Sequence, residues 1–314
     1  MYQVITIGSA LVDIFIHSDS FKSKPSNEGQ LLCQVYGDKM EVDSFKVYSG
    51  GGATNTAVGF SRLGLTTAIV CETGRDHCSG IVMNDLIEES VETSLVIKEK
   101  KEQTGGSIIL VGDDGGRTVM VHRGASSMLD SFDIPTYWLS KTSWVHLTSI
   151  AGREKTLEKI FSLITREANI GLSWNPGKAE LSLLAQRKLL VKNIPCRLFF
   201  VNKQEWEMLG SVQEEILKHI SQVVVTEGSK GGDVYLAGER KFHFPAEQTQ
   251  SVDDTGAGDA FACAYTAGQI LGKLPQESAK WGVRNSTNVI KYFGAKPGLL
   301  RREQIVAHTG GLQS

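Results

Sequence analysis

The chain has little that would staple it together or tie it to a membrane. Its five cysteines (Cys33, Cys71, Cys78, Cys196 and Cys263) are odd in number and form no C-x-x-C pair. Reduced thiols in a cytosolic protein fit that usage better than a disulfide framework or a zinc site. Seven prolines in 314 residues leave no Pro-rich linker. The opening MYQVITIG lacks a basic n-region, and no apolar run nears the ~18 residues that span a bilayer, so a cytoplasmic protein is expected. A formal net charge of −2 excludes a long-range field toward nucleic acid or an anionic membrane, and any anionic ligand must be held locally. Two phosphate fingerprints are also missing. No G-x-x-x-x-G-K-[ST] occurs, and GAGDAF fails as G-x-G-x-x-G because Phe261 stands at the third glycine. That disfavours a P-loop protein and a Rossmann-type oxidoreductase.

What is present is a globular composition, 41% hydrophobic and 22% charged, long enough for a substantial core. Short β-branched runs at 4–8, 66–74, 144–149, 169–174, 197–202 and 222–228 read as buried strands. Helix-period stretches at 53–63, 76–90, 153–168, 180–192, 203–210 and 213–220 lie between several of them. The alternation predicts an α/β fold, a doubly wound, mainly parallel sheet flanked by helices. Two regions break the rhythm. Residues 107–123 read as a β-hairpin around DDGG, and 29–48 look strand-like with no helix nearby. They suggest a small β-sheet lid; two edge hairpins are the alternative. The expected organisation is one domain over 1–314, with a lid excursion from about 14–48 and 98–124.

SVDDTGAGDAF, residues 251–261, places three near-naked residues just before a helical stripe of Ala257, Ala260, Phe261, Ala264, Gly268 and Leu271. The first N–H groups of a helix have no intrahelical acceptor, and the helix dipole adds positive character. Gly256, Ala257 and Gly258 therefore form a candidate anion hole suited to phosphate. Asp259 sits in the first turn. It either complements the helix dipole or serves as a general base beside the anion site.

With GGGATNTAVGFSRLG at 50–64 and DDTGAGD at 253–259, two signatures about two hundred residues apart and in the right order, the chain resembles the ribokinase/PfkB carbohydrate kinases over essentially its whole length. The resemblance implies ATP-dependent phosphoryl transfer to a hydroxymethyl group of a sugar, ribokinase- or fructokinase-like, with Mg2+ and a lid over the acceptor. A nucleoside kinase of the adenosine or cytidine type, or a non-catalytic nucleotide- or sugar-binding relative, are the alternatives. Lid strands in such kinases often pair across a homodimer.

Carried onto this sequence, the resemblance gives each residue a role beside its plainer one. Asp13, Gly50, Gly51, Gly52 and Asn55 would hold the acceptor; Asp13 reads otherwise as a turn residue just after the first strand, and the glycines as a flexible turn. Ribokinases carry a Lys after the first two glycines; Gly52 here argues against ribose. Arg123 either reaches over the acceptor or is an ordinary surface residue. SWNPG (173–177) departs from a D-x-N-x-R run: Asn175 remains, and Lys178 offers a cation in place of the missing one. Asn202 and Glu205 form a capping box by themselves; the resemblance adds water-mediated Mg2+ at Glu205. Thr226, Gly228, Asn288 and Gly294 would border the nucleotide, and Asp253 matches a monovalent-cation position, here K+. Trp144 and His146 read as core, as do Cys71 and Cys78.

Overall fold

The computed structural model describes residues 1–27, 29–99, 101–112, 116–167 and 169–307. Its larger sheet has eight strands in the order Glu239–Phe244, Gly232–Leu236, Gln222–Thr226, Leu198–Asn202, Gly171–Trp174, Trp144–Leu147, Val4–Ile7 and Thr67–Val70. The six from Gln222–Thr226 onward are parallel. Gly232–Leu236 and Glu239–Phe244 extend the sheet antiparallel, a pair that the sequence reading did not anticipate. Val4–Ile7, Thr67–Val70, Trp144–Leu147 and Gly171–Trp174 are buried at every residue, as strands covered on both faces must be.

One face is covered by helices that include Glu154–Arg166, whose Leu157, Ile160, Phe161 and Ile164 recur at three- and four-residue steps and are buried. The helix expected over 180–192 is shorter, Lys178–Ala185, because Arg187 takes a left-handed φ of 56°. The other face carries Gly52–Arg62, Ala257–Ile270 and Pro275–Val289. A single apolar stripe was expected on the Ala257 helix, yet every residue from Ala260 to Gly268 is buried. Small residues let its neighbours approach from both sides. A Cβ on Gly59 would lie 2.4 Å from Cys263 Sγ, and one on Gly282 would lie 2.8 Å from the Phe261 ring.

The smaller sheet runs Arg117–His122, Gly105–Val111, Leu11–His17, Ser44–Gly50. The hairpin expected at 107–123 is its antiparallel outer pair; the DDG of its turn, 113–115, lies outside the described residues. Strand Leu11–His17 is a correction, since the chain was expected to turn after the first strand. It runs on as a second strand between Ser44–Gly50 and Gly105–Val111. Phe15, Ile109 and Val111 are buried beneath this sheet, against Tyr48 and Phe293. Among the described residues, no helix is long and apolar enough to cross a membrane.

Candidate active site

The anion hole is built on a turn held by Asp253. Its Oδ1 accepts from the Thr255 amide at 3.0 Å and the Thr255 hydroxyl at 2.7 Å, and its Oδ2 from the Gly294 amide at 2.9 Å. The Arg117 guanidinium pairs with the same carboxylate. Gly256 follows with a φ of 78°, and a Cβ there would lie 2.3 Å from Ala295 Cβ, so any other residue would be strained and would collide. Helix Ala257–Ile270 then begins. Of the three amides expected to be open, that of Ala257 donates to the Asp254 carbonyl at 3.2 Å. Those of Gly256 and Gly258 meet no acceptor among the described residues, and nothing lies within 4 Å of a Cβ at Gly258. Two of the three expected amides are thus open, and so is that of Asp259, at the positive end of a helix.

Asp259 is half-buried and held by two amide side chains. Asn55 Nδ2 donates to Oδ2 at 2.9 Å, and Asn175 Nδ2 to Oδ1 at 3.5 Å. Burial pushes its pKa above the ordinary carboxylate value; the two asparagines and the Lys296 ammonium act against that shift. Asn55 Oδ1 is buried without a partner among the described residues, so an acceptor beside the carboxylate is left unused. Asp259 lines a cavity of about 210 Å3 with Asn175, Asn202, Glu205, Thr226 and Gly258. A second cavity of about 510 Å3 adjoins it, sharing Thr226, Gly258 and Phe261 and reaching Gly228, Phe244 and Thr287.

On the other side of Asp259 lies the glycine loop that leads from Ser44–Gly50 into Gly52–Arg62. Asp13 lies inside a strand, not in a loop at the sheet edge as expected. It is buried, it accepts a hydrogen bond from the Ser107 hydroxyl, and a Cβ on Gly50 would lie 1.9 Å from its Oδ2. Burial raises its pKa, and Ser107 and Lys296 lower it. The Gly52 amide donates to Ser9 Oγ at 3.0 Å. Arg123 is exposed; its carbonyl lies against Gly105, the register partner of Leu11, and accepts from the Ser126 amide at 3.1 Å and hydroxyl at 2.6 Å.

Asn202 and Glu205 do form the capping box, each side chain accepting from the other's amide at 2.9 Å. Burial raises the Glu205 pKa, the Asn202 amide and Lys178 lower it, and Asp259 raises it. Glu205 and Lys178 thus lie in one field with the Asp259 carboxylate. Thr226 and Gly228 line the larger cavity, but Asn288 and Gly294 do not. Asn288 Nδ2 is committed to the Gly298 carbonyl at 2.8 Å, and Gly294 packs on Tyr48 while its amide caps Asp253. Ser286, Thr287 and Ile290, on the adjacent helical positions, supply that wall. Oδ1 of Asp253 takes three protein donors and Oδ2 takes one, the Gly294 amide.

Ser173, which stands where an acidic residue was expected, is core. It accepts from Trp144 Nε1 at 2.9 Å and bonds His146 Nδ1 at 2.7 Å. Trp144 and His146 are core too, and burial alone pushes the His146 pKa down to about 3. Sequence reasoning missed three charged groups. Glu180 is fully buried and accepts from the amides of Ile150, Gly152 and Gly177, which fixes the loops around Asn175. Lys296, 6% exposed, donates to Asp85 at 2.7 Å and to Ser49. Arg117 is the third. A lone Lys amid Gly, Ala and Pro in GAKPG was a legible signal for Lys296; an Arg on an exposed strand carries none.

A carboxylate beside two unclaimed amides, at the mouth of paired cavities, defines a phosphotransferase-like site on a doubly wound sheet. The model of the pfkB family carbohydrate kinases matches residues 1–301, and the chain belongs to that family. An uncharacterized sugar kinase of Archaeoglobus fulgidus is 32% identical over 254 residues, 78% of this chain and 99% of that protein. The nucleoside kinase of Methanocaldococcus jannaschii, an archaeal member of the ribokinase family, shares the fold with a TM-score of 0.76 at 20% identity over 97% of each chain. Arabidopsis thaliana ribokinase, complexed with ribose and ATP, does so at 0.77 and 19% over 99% of each. The chain is thus a sugar or nucleoside kinase of the ribokinase type.

Proposed function

We propose that this protein transfers the γ-phosphoryl group of ATP to a hydroxymethyl group of a sugar, with Asp259 as general base. One observation carries the reading: Asp259 directly follows the open Gly256 and Gly258 amides and lines the smaller cavity, which shares Gly258 and Thr226 with the larger. The adenosine end of the nucleotide fits the larger cavity, beside Thr226, Gly228 and Thr287, and its phosphates the smaller one. The Gly256 and Gly258 amides stabilise charge on the transferring group, and Lys178 adds a cation. Asn202 and Glu205 would hold Mg2+ through water, and the ion, when bound, would neutralise phosphate charge. That fit is supported by the half-buried Glu205 carboxyl, which shares the field of Asp259.

The acceptor lies between Asp13, the Gly50–Gly52 loop and Asn55, under the smaller sheet acting as a lid. The unpartnered Asn55 Oδ1 accepts from a substrate hydroxyl, and Asn55 Nδ2 keeps the Asp259 carboxyl turned toward the attacking one. Proton removal by a positioned base contributes ~10²–10⁴-fold, and the remainder is positioning and electrostatics. A lid that excludes water prevents wasteful hydrolysis. Two copies pair through the lid, whose strand Arg117–His122 is an exposed edge.

The test is ATP consumption over a panel of ribose, fructose, fructose 6-phosphate, 2-keto-3-deoxygluconate, adenosine and cytidine. Turnover with a sugar is expected. Turnover with a nucleoside alone moves the acceptor class, and ATP binding without turnover on any member defeats the catalytic reading.

A further inference from the structure

Asp253 presents a problem that its own segment does not solve. Its side chain is 3% exposed, and a carboxylate removed from water is stable only when paired with a cation and fully hydrogen-bonded. The main body supplies neutral donors alone, the Thr255 amide and hydroxyl and the Gly294 amide. The cation comes from elsewhere. Arg117 stands at the start of the outer strand of the smaller sheet, in a run exposed at every position. Its Nη1 donates to Asp253 Oδ1 and lies 3.5 Å from Thr255 Oγ1, and its Nη2 lies 3.9 Å from Asp254 Oδ2. One guanidinium thus spans the three residues immediately before Gly256.

We propose that Arg117 is a positioning residue for phosphoryl transfer, through which the seated lid sets the turn that presents the Gly256 and Gly258 amides. Asp253 Oδ1 caps the turn by accepting the Thr255 amide, and the Ala257 amide closes on the Asp254 carbonyl. With Arg117 in place the carboxylate has its counterion, and the cap holds. With Arg117 withdrawn, the buried charge has no counterion, and the turn loosens where the γ-phosphate must bind. The smaller sheet is also seated by Phe15, Ile109 and Val111 against Phe293, by Val12 in the core and by Ser49 on Lys296. The apolar contact holds the sheet, and the ionic one reports its position to the anion hole. The chain carries its own cation at Asp253 in place of a free ion.

This inference rests on the proposed kinase function, and the experiment separates the two. Calorimetric titration with the magnesium complex of a non-hydrolysable ATP analogue and with MgADP compares wild type, Arg117→Ala and Arg117→Lys. In this reading the γ-phosphate, which only the triphosphate carries, is the group that faces the two amides. Arg117→Ala is expected to weaken the analogue about tenfold, the size of one charge-assisted contact, leaving MgADP within about twofold and Arg117→Lys in between. Wild-type binding is expected to be the same in potassium and tetramethylammonium salts. Equal weakening of both nucleotides, or of neither, overturns the role of Arg117, as does potassium-dependent binding by wild type. Failure of wild type to bind either nucleotide overturns the kinase reading instead.

Discussion

The two sheets bury themselves in opposite ways. Four strands of the larger sheet are closed to solvent at every residue, while Arg117–His122 of the smaller one is open at every residue. Gly105–Val111 lies between these extremes, with buried positions alternating along its length. A strand buried on both faces cannot move without opening the core. The smaller sheet joins the body through Val12 in the core, Phe15, Ile109 and Val111 against Phe293, and polar contacts of Ser49 and Arg117, and its outer strand stays open to solvent. The site straddles this difference, for Asp259 is fixed to the rigid body by the helix it begins, and Asp13 rides on the smaller sheet. The base should therefore govern chemistry, and the smaller sheet should govern capture of the acceptor.

The largest expected effect tests that division. Asp259→Asn should lower kcat by at least ~10² in steady-state assays while MgADP titration is unchanged, since the amide keeps the shape and loses the basic oxygen. Asp13→Asn should act mainly on KM for the acceptor. If Asp259→Asn also abolished nucleotide binding, or if Asp13→Asn fell chiefly on kcat, the rigid and movable halves would not divide the work. Leu147→Ala comes next. This fully buried residue of a central strand should lose about 2–5 kcal/mol in denaturant unfolding, with the spread set by how far the site collapses.

The same contrast decides what was legible beforehand. Runs buried on both faces leave a continuous apolar signal, so six parallel strands and most of their helices were visible in sequence. The smaller sheet leaves mixed signals. Leu11–His17 was missed because ALVDIFIH follows so closely on the first strand that Asp13 looked like a turn residue. The glycines and acids of DDTGAGD were legible because their spacing alone demands an exposed helix terminus. Arg117 and Glu180 were not, since each acts through a partner distant in sequence, Arg117 on Asp253 and Glu180 on the 150–152 loop; the GAKPG signal for Lys296 gave no hint of its partners, Ser49 and Asp85. Asn288 and Gly294 were given the right neighbourhood, and the residues of that turn that line the cavity are Ser286, Thr287 and Ile290, which helical periodicity could have singled out.

Where the two regions join, a smaller effect should appear. Glu72 lies in the short strand Glu72–Thr73, paired with Ile97–Lys98 on the path into Gly105–Val111. It is 2% exposed, its Oε2 meets no partner among the described residues, and burial, then Asp133 and a hydrogen bond with Glu99, push its pKa to about 8. The folded chain thus keeps a proton that the unfolded chain, with the ordinary value of 4.5, releases. Stability is therefore lost progressively as pH rises from about 4.5 toward about 8. Glu72→Gln, which is neutral throughout, should melt with wild type near pH 4.5 and above it by a few degrees beyond about pH 8. A Tm difference that shrank as pH rose would reverse the sign and leave Glu72 ionised in the fold.

The smallest effect on folding is expected at the open edge, and there it carries the most information about assembly. Val119 is 49% exposed on the outer strand of the smaller sheet. Val119→Lys removes no buried contact, so it should change unfolding free energy by no more than about 0.5 kcal/mol. An inserted charge on an edge strand opposes pairing with another strand, however. If two copies meet through the lid, the variant should sediment as a monomer at concentrations where wild type is a dimer. A wild type that is already monomeric, or a variant that stays dimeric, would place assembly elsewhere. A loss of several kcal/mol on unfolding would show that this strand is buried in a way its exposed side chains do not reveal, and the contrast between the two sheets would have to be redrawn.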